Sequence, residues 1–305
     1  MKTITRSARL REGLLAIGVV CLLCFVASGR AEADDGIVSA VQDYFLNWFD
    51  RVDAAQASQP HWITPLVTVT PRLEQELRLD YLHESIPNGA TLNNYGGGKG
   101  LELIPTTTNE IILGIPPYEV LNGPNGKNSA SGWGDWPFLL AKQRLLSANE
   151  QNGNYILTFF LQGVAPLRTN KLSNDAYFIN PTLAFGKGWG DFDIQATVGA
   201  QLPTSHANTL GHPIITNVAF QYYIRPVLWP EFEVNYTYWP DGARGGISQV
   251  MLTPGVIIGR IPLYKRARLI VGAGYQVAVS PPARSKAPVV PTYRSAPIVT
   301  FRVAF

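Results

Sequence analysis

The chain has 305 residues, 25 of them Lys or Arg and 22 Asp or Glu, with only 15% charged, 11% aromatic and 28 Gly. The first 33 residues hold five basic and two acidic residues, so 20 of each sign remain beyond them. Its basic character is therefore a property of the N terminus and argues for neither nucleic acid nor acidic substrates.

Lys2, Arg6, Arg9 and Arg11 precede an apolar run from Leu14 to Val26, and Ala31-Glu32-Ala33 follows as an Ala-x-Ala site. This pattern is expected to be a secretory signal cleaved after Ala33, too short for a spanning helix. Cys21 and Cys24 leave with it, which excludes disulfide and thiol chemistry from the mature chain. Beyond residue 33 no apolar run reaches the length of a membrane helix.

Val38, Val41, Phe45, Trp48, Phe49 and Val52 recur at helical spacing. They predict an amphipathic helix from Ile37 to Ala57. The segment 34–60 that contains it either plugs the C-terminal domain, lies at the periplasmic membrane face or holds a partner. The remainder, 61–305, reads as strands.

Twelve are expected, with ten and fourteen as alternatives: 66–84, 93–104, 110–121, 134–147, 154–165, 176–186, 191–202, 214–225, 231–239, 247–259, 267–279 and 293–305. Short connections alternate with longer ones such as 122–133, 166–175, 203–213 and 280–292. That is the arrangement of an even, antiparallel transmembrane β-barrel with periplasmic termini. The last strand alternates Val299, Phe301, Val303 and Phe305 against Thr300, Arg302 and Ala304. A terminal Phe on such a strand resembles the signal by which bacterial outer-membrane barrels are recognised for insertion. Phe301, Val303 and Phe305 are assigned that role, with outer-membrane lipid and the barrel-assembly machinery as partners.

Strand parity defines an expected interior. Phe192, Ile194 and Ala196 oppose Asp191, Asp193 and Gln195; Phe232, Val234 and Tyr236 oppose Glu231, Glu233 and Asn235; Leu73, Gln75, Leu77, Leu79 and Tyr81 oppose Arg72, Glu74, Glu76, Arg78 and Asp80. Charged rows facing lipid would cost up to about 2–4 kcal/mol per basic residue, so they must face the lumen. The expected lining is Arg72, Glu74, Glu76, Arg78, Asp80, Asp191, Asp193, Arg225, Glu231, Glu233, Arg268, Arg294 and Arg302. Either these charges tune a translocation path, or they pair and close it. Expected pairs are Arg302 with Glu74 or Glu76, and Arg225 with Asp193 or Glu231. Lys142 and Arg144 share parity with Trp136, Phe138 and Leu140, which requires a bulge or a position at the membrane rim.

Other motifs are weaker. Tyr95-Gly96-Gly97-Gly98-Lys99-Gly100 lacks the GKS/T ending of a phosphate loop and precedes a strand. His206 and His212 share a loop beside Ser205, with no third residue to complete a metal or hydrolytic site. Trp and Tyr near strand ends fit a membrane-interface girdle, although Trp239 has inward parity. No catalytic, cofactor or metal residues are assigned.

Three segments carry a family resemblance: Gly134-Asp135-Trp136-Pro137-Phe138-Leu139-Leu140-Ala141-Lys142-Gln143-Arg144-Leu145-Leu146, Gly186-Lys187-Gly188-Trp189-Gly190-Asp191-Phe192, and Thr253-Pro254-Gly255 with Gly274-Tyr275-Gln276. In this order the chain resembles the outer-membrane family labelled "MetA-pathway of phenol degradation". The resemblance implies an outer-membrane barrel for uptake of small, aromatic compounds, with no catalytic motif to transfer; the expected protein is a monomeric, non-enzymatic transporter or porin of a Gram-negative cell, passing small aromatic or other hydrophobic molecules. The contrasting classes are a closed structural barrel and an outer-membrane hydrolase.

Overall fold

A computed structural model describes residues 35–86, 89–96, 99–167, 172–280 and 293–305; the expected signal segment lies outside them. The described residues divide into two units, with the boundary between Phe49 and Asp50. In the first, the expected single helix is interrupted at Asn47, giving α1 (Asp35–Leu46) and the start of α2 (Trp48–Ala57). Val41, Phe45 and Leu46 are exposed, and Tyr44, Phe45 and Trp48 pack as an aromatic cluster.

In the second unit, the described residues form a closed antiparallel barrel of twelve strands. β1 is Glu76–Ser85. β2 is Thr91–Gly96 resumed as Gly100–Thr106, β3 is Asn109–Gly114 resumed as Tyr118–Asn122, and β4 is Ala130–Trp133 resumed as Trp136–Ala148. β5 (Tyr155–Ala165), β6 (Phe178–Trp189), β7 (Phe192–Ala200, continued by Leu202–Pro203) and β8 (Ile214–Tyr222) follow. β9 (Leu228–Trp239), β10 (Ile247–Tyr264), β11 (Ala267–Ser280) and β12 (Ser295–Ala304) complete the wall. Closure is made by β12 against β1, with Arg78 opposite Arg302 and Tyr81 opposite Val299. Closing the sheet removes the edges that would otherwise leave backbone groups unpaired.

Alternation explains the two faces. Leu77, Leu79, Phe159, Leu161, Phe232, Val299 and Phe301 are exposed on the outside, while Arg78, Thr158, Glu233, Thr300 and Arg302 are buried inside. In β4 the parity conflict is resolved by bulges. Register shifts against β5 fall between Trp136 and Leu139 and between Arg144 and Leu146. The first lets Trp136 and Phe138 face outward and still turns Leu140, Lys142 and Arg144 inward.

The first strand differs from expectation. It begins at Glu76, not at Leu66. Residues 59–75 leave the wall and run inside the barrel: Trp62, Ile63, Leu66, Thr68, Thr70, Arg72 and Leu73 are all buried. Leu73 and Gln75, expected to face outward, lie in the interior with them. Pro60, Pro65 and Pro71 supply a physical reason, because proline cannot donate to a sheet ladder.

Candidate functional site: the lumen and the segment within it

The interior segment rises from the short-turn end of the barrel, bends at Leu66–Thr68 and returns to β1. Ile63 and Thr64 border a cavity of about 370 Å³ at the short-turn end. Val67 and Val69 border cavities of about 480 and 140 Å³ on the long-loop side. The segment thus lies between the two ends of the lumen.

Its backbone cannot pair with itself, so the wall supplies partners. Arg302 donates from Nη1 to the Thr64 carbonyl (2.6 Å) and from Nη2 to that of Pro65 (2.9 Å). Arg78 donates to the Leu66 carbonyl (2.6 Å), Gln195 to that of Ile63 (2.9 Å), Thr158 to that of Pro71 (2.6 Å) and Lys142 to that of Arg72 (3.0 Å). Carboxylates receive the amides. Glu231 accepts from Leu66 N–H (3.1 Å), and Glu233 accepts from the N–H groups of Val67 (2.7 Å) and Thr68 (2.6 Å) and from the Thr68 hydroxyl (2.5 Å). Such charge-assisted bonds are the stronger kind.

Apolar side chains of the segment occupy places where the wall has glycine. A methyl group at Gly259 would lie 2.8 Å from Ile63 Cδ1, and one at Gly272 or Gly274 would lie 2.9 or 2.6 Å from Leu66. Trp62 covers Gly186 and Gly188 in the same way. Leu66 and Ile63 join Trp229, Ile257 and Ile270 in one buried cluster; Val69 packs on Ile112, Leu140, Phe160 and Ala184 in another.

The sequence-derived lining residues separate into groups. Glu76, Arg78, Asp80, Asp193, Glu231, Glu233 and Arg302 lie buried in the wall, facing in. Arg72 and Glu74 are also interior but belong to the segment, where they pair at 2.6 Å. Arg268 sits at the short-turn rim beside the 370 Å³ cavity, donating to the Lys265 and Ala267 carbonyls. Asp191 and Arg225 meet at 3.3 Å on the same rim, largely exposed, so Arg225 pairs with neither Asp193 nor Glu231. Arg294 is exposed at the long-loop end. Arg302 donates to the segment and Thr300, not to Glu74 or Glu76, and the Glu76 carboxylate has no hydrogen-bond partner among the described residues.

The wall adds Lys142, Glu110 and Glu102 to the expected lining. Lys142 and Glu110 form a buried pair at 2.9 Å, Arg78 pairs with Asp80 at 2.9 Å, and Glu102 is buried beside them. Arg144 donates to the Ala55 carbonyl (2.9 Å) and Asn149 to that of Ala57 (3.0 Å), satisfying the last carbonyls of α2. Asp53 and Arg266 tie α2 to the β10–β11 turn; that bond holds the Asp53 carboxyl below its ordinary value, over the small opposing effect of burial.

At the long-loop end His212 Nδ1 lies 2.7 Å from Asp241, and His206 lies 3.9 Å from Asp175, all exposed. Among the described residues no group of three His, Cys, Asp or Glu is placed to hold a metal. Phe301 points outward on β12, and the N–H of Phe305 donates to the Gln75 carbonyl (3.0 Å).

The class defined by this geometry is a closed twelve-strand β-barrel with an apolar exterior and a lumen occupied by its own N-terminal segment. It is similar to the COG4313 outer membrane channel from Pseudomonas putida F1, at 13% identity and a TM-score of 0.52, over 80% of this chain and 100% of that one. The KdgM porin aligns at 10% identity and a TM-score of 0.40, over 75% of this chain and 99% of that one. No family model matches the chain. No curated protein matches it either.

Proposed function

We propose that the chain is an outer-membrane channel for small molecules, and that residues 59–75 are its plug. The carrying observation is how the segment is held. Wall arginines and glutamates bind its backbone, and wall glycines leave room for its side chains. Polar and steric seats of this kind suit a segment that is seated in a lumen and leaves it; a purely structural interior would be filled by wall side chains. The apolar exterior and the likeness in fold to a channel support membrane residence. Outer-membrane lipid is then the partner of the outward face. Phe301, Val303 and Phe305 remain our assignment for recognition by the assembly machinery.

The small aromatic solutes implied by the family resemblance would pass Phe178, Trp239 and Tyr293 on the long-loop side rather than bind there. Single-channel recording in planar bilayers tests the channel reading. The chain with residues 62–71 replaced by a flexible Gly-Ser run should conduct steadily, and the unaltered chain should be mostly silent. Silence in both proteins would refute the channel and favour a closed structural barrel.

A further inference from the structure

The lumen changes chemistry along its axis. At the level of the plug it is charged. Above the plug, the two cavities of about 480 and 140 Å³ share Gln201, Ile215 and Asn217. Among the described residues lining them, Arg244 is the one with a charged side chain. The polar wall is instead built from amides and hydroxyls.

These groups are linked. Asn180 donates to Gln162 (3.0 Å), Asn235 to Asn217 (3.1 Å), Gln276 to Asn235 (2.7 Å), and the Tyr293 hydroxyl to Gln276. Asn180 and Gln162 form one pair, and Tyr293, Gln276, Asn235 and Asn217 form a separate chain; each amide carries two donor hydrogens and a carbonyl with two lone pairs, so bonding capacity of both kinds remains among the cavity's lining residues. The Asn180 side-chain carbonyl is buried and has no partner among the described residues. A buried acceptor of this kind calls for a donor, which a hydroxyl in the adjoining cavity can supply.

We infer that this vestibule is a binding site for an uncharged, polyhydroxylated solute such as a mono- or disaccharide. The inference deepens the channel reading and rests on it, since it makes the vestibule the outer mouth of the path. A hydroxyl donates and accepts, and so satisfies both halves of an amide. A carboxylate only accepts, and would leave the Asn180 carbonyl without a donor. An aromatic solute such as phenol offers a single hydroxyl and would leave the remaining amides buried unpaired. The volume falls within the range of small-ligand sites.

The test is isothermal titration of the full barrel, refolded in a detergent without a sugar headgroup, with sucrose, phenol and succinate as probes. Sucrose should bind saturably and more tightly than the other two. Asn180→Leu and Gln276→Leu should each weaken it at least tenfold, with folding checked by far-ultraviolet circular dichroism. Two sites are used so that one misfolded variant does not decide the matter. Absence of saturable sucrose binding, equal binding in both folded variants, or tighter binding of phenol would overturn the inference. Conductance of the Gly-Ser variant is read in parallel. A conducting variant whose parent ignores sucrose retains the channel and removes the sugar site; sucrose binding without conductance does the opposite.

Discussion

Arg302 on β12 reaches the carbonyl of Thr64 at 2.6 Å across 238 positions of sequence, and it is fully buried in doing so. The same guanidinium holds Pro65. A buried cation that binds two consecutive carbonyls fixes the ascending arm of the plug to the closing strand of the barrel.

Arg302→Met is therefore expected to free the plug. Hydrogen bonds to charged groups contribute about 1.5–3 kcal/mol each, while removing a buried charge recovers part of its desolvation cost. A net loss of about 3 kcal/mol would raise the open fraction by about a hundredfold. Planar-bilayer recording should show frequent openings where the wild type is mostly silent. Unchanged silence, with a folded barrel, would mean that the plug does not depend on this contact.

Glu233→Gln tests the apex. One Glu233 oxygen accepts from Val67, the other from both the amide and the hydroxyl of Thr68. An amide in its place sets a donor against at least one of those donors, at about 1–3 kcal/mol. Openings should increase by about ten- to a hundredfold, with less effect on barrel stability than on gating. A lowered unfolding temperature without any openings would assign Glu233 to the barrel wall alone.

The barrel was legible because alternation repeats in every strand from β5 to β12, and the boundaries there were anticipated closely except the end of β10, expected at 259 and found at Tyr264. The plug was not. Residues 66–75 end in alternating charge, Arg72-Leu73-Glu74-Gln75, which satisfies a strand pattern while the chain runs through the lumen. The contradicting signal was Pro60, Pro65 and Pro71, three residues unable to join a ladder within one short stretch. The lumen pairs were also hidden. Parity tells which way Arg302 points, but its partners are backbone carbonyls, and carbonyls leave no mark in a sequence. Lys142 and Arg144 showed in the sequence as a parity conflict with a bulge or a rim position as its explanations, and the β4 bulges, which shift parity by one residue, decide between them.

Acidification should loosen α2. The bond from Arg266 lowers the Asp53 carboxyl below its ordinary 3.8, outweighing burial, which acts in the other direction. A lowered folded value means that the stabilisation is fully present above the unfolded value and is lost as pH falls through the folded one. Both side chains are substantially exposed, so the contribution is below about 1 kcal/mol. A carboxyl-carbon NMR titration should place the Asp53 midpoint below 3.8 in the wild type and nearer to it in Arg266→Gln. Identical midpoints would show that the pair does not form.

Gly272→Val separates steric seating from electrostatic holding. A methyl group at Gly272 would meet Leu66 at 2.9 Å, Thr300 at 2.9 Å and Ile257 at 3.0 Å, so the larger side chain has no room on the lumen face while Leu66 is seated. Ile257 and Thr300 belong to rigid neighbouring strands, whereas Leu66 belongs to a segment without a ladder, so the plug is the part that yields. Overpacking typically costs about 1–3 kcal/mol, enough to raise plug release by about ten- to a hundredfold. No charge changes, so the variant should open more often while keeping the ion selectivity of the Gly-Ser plug replacement. Arg302→Met should instead shift selectivity toward cations, because it removes a lumen cation and leaves Glu76 and Asp80 in place. Equal selectivity shifts in the two variants would mean that the open path does not pass Arg302.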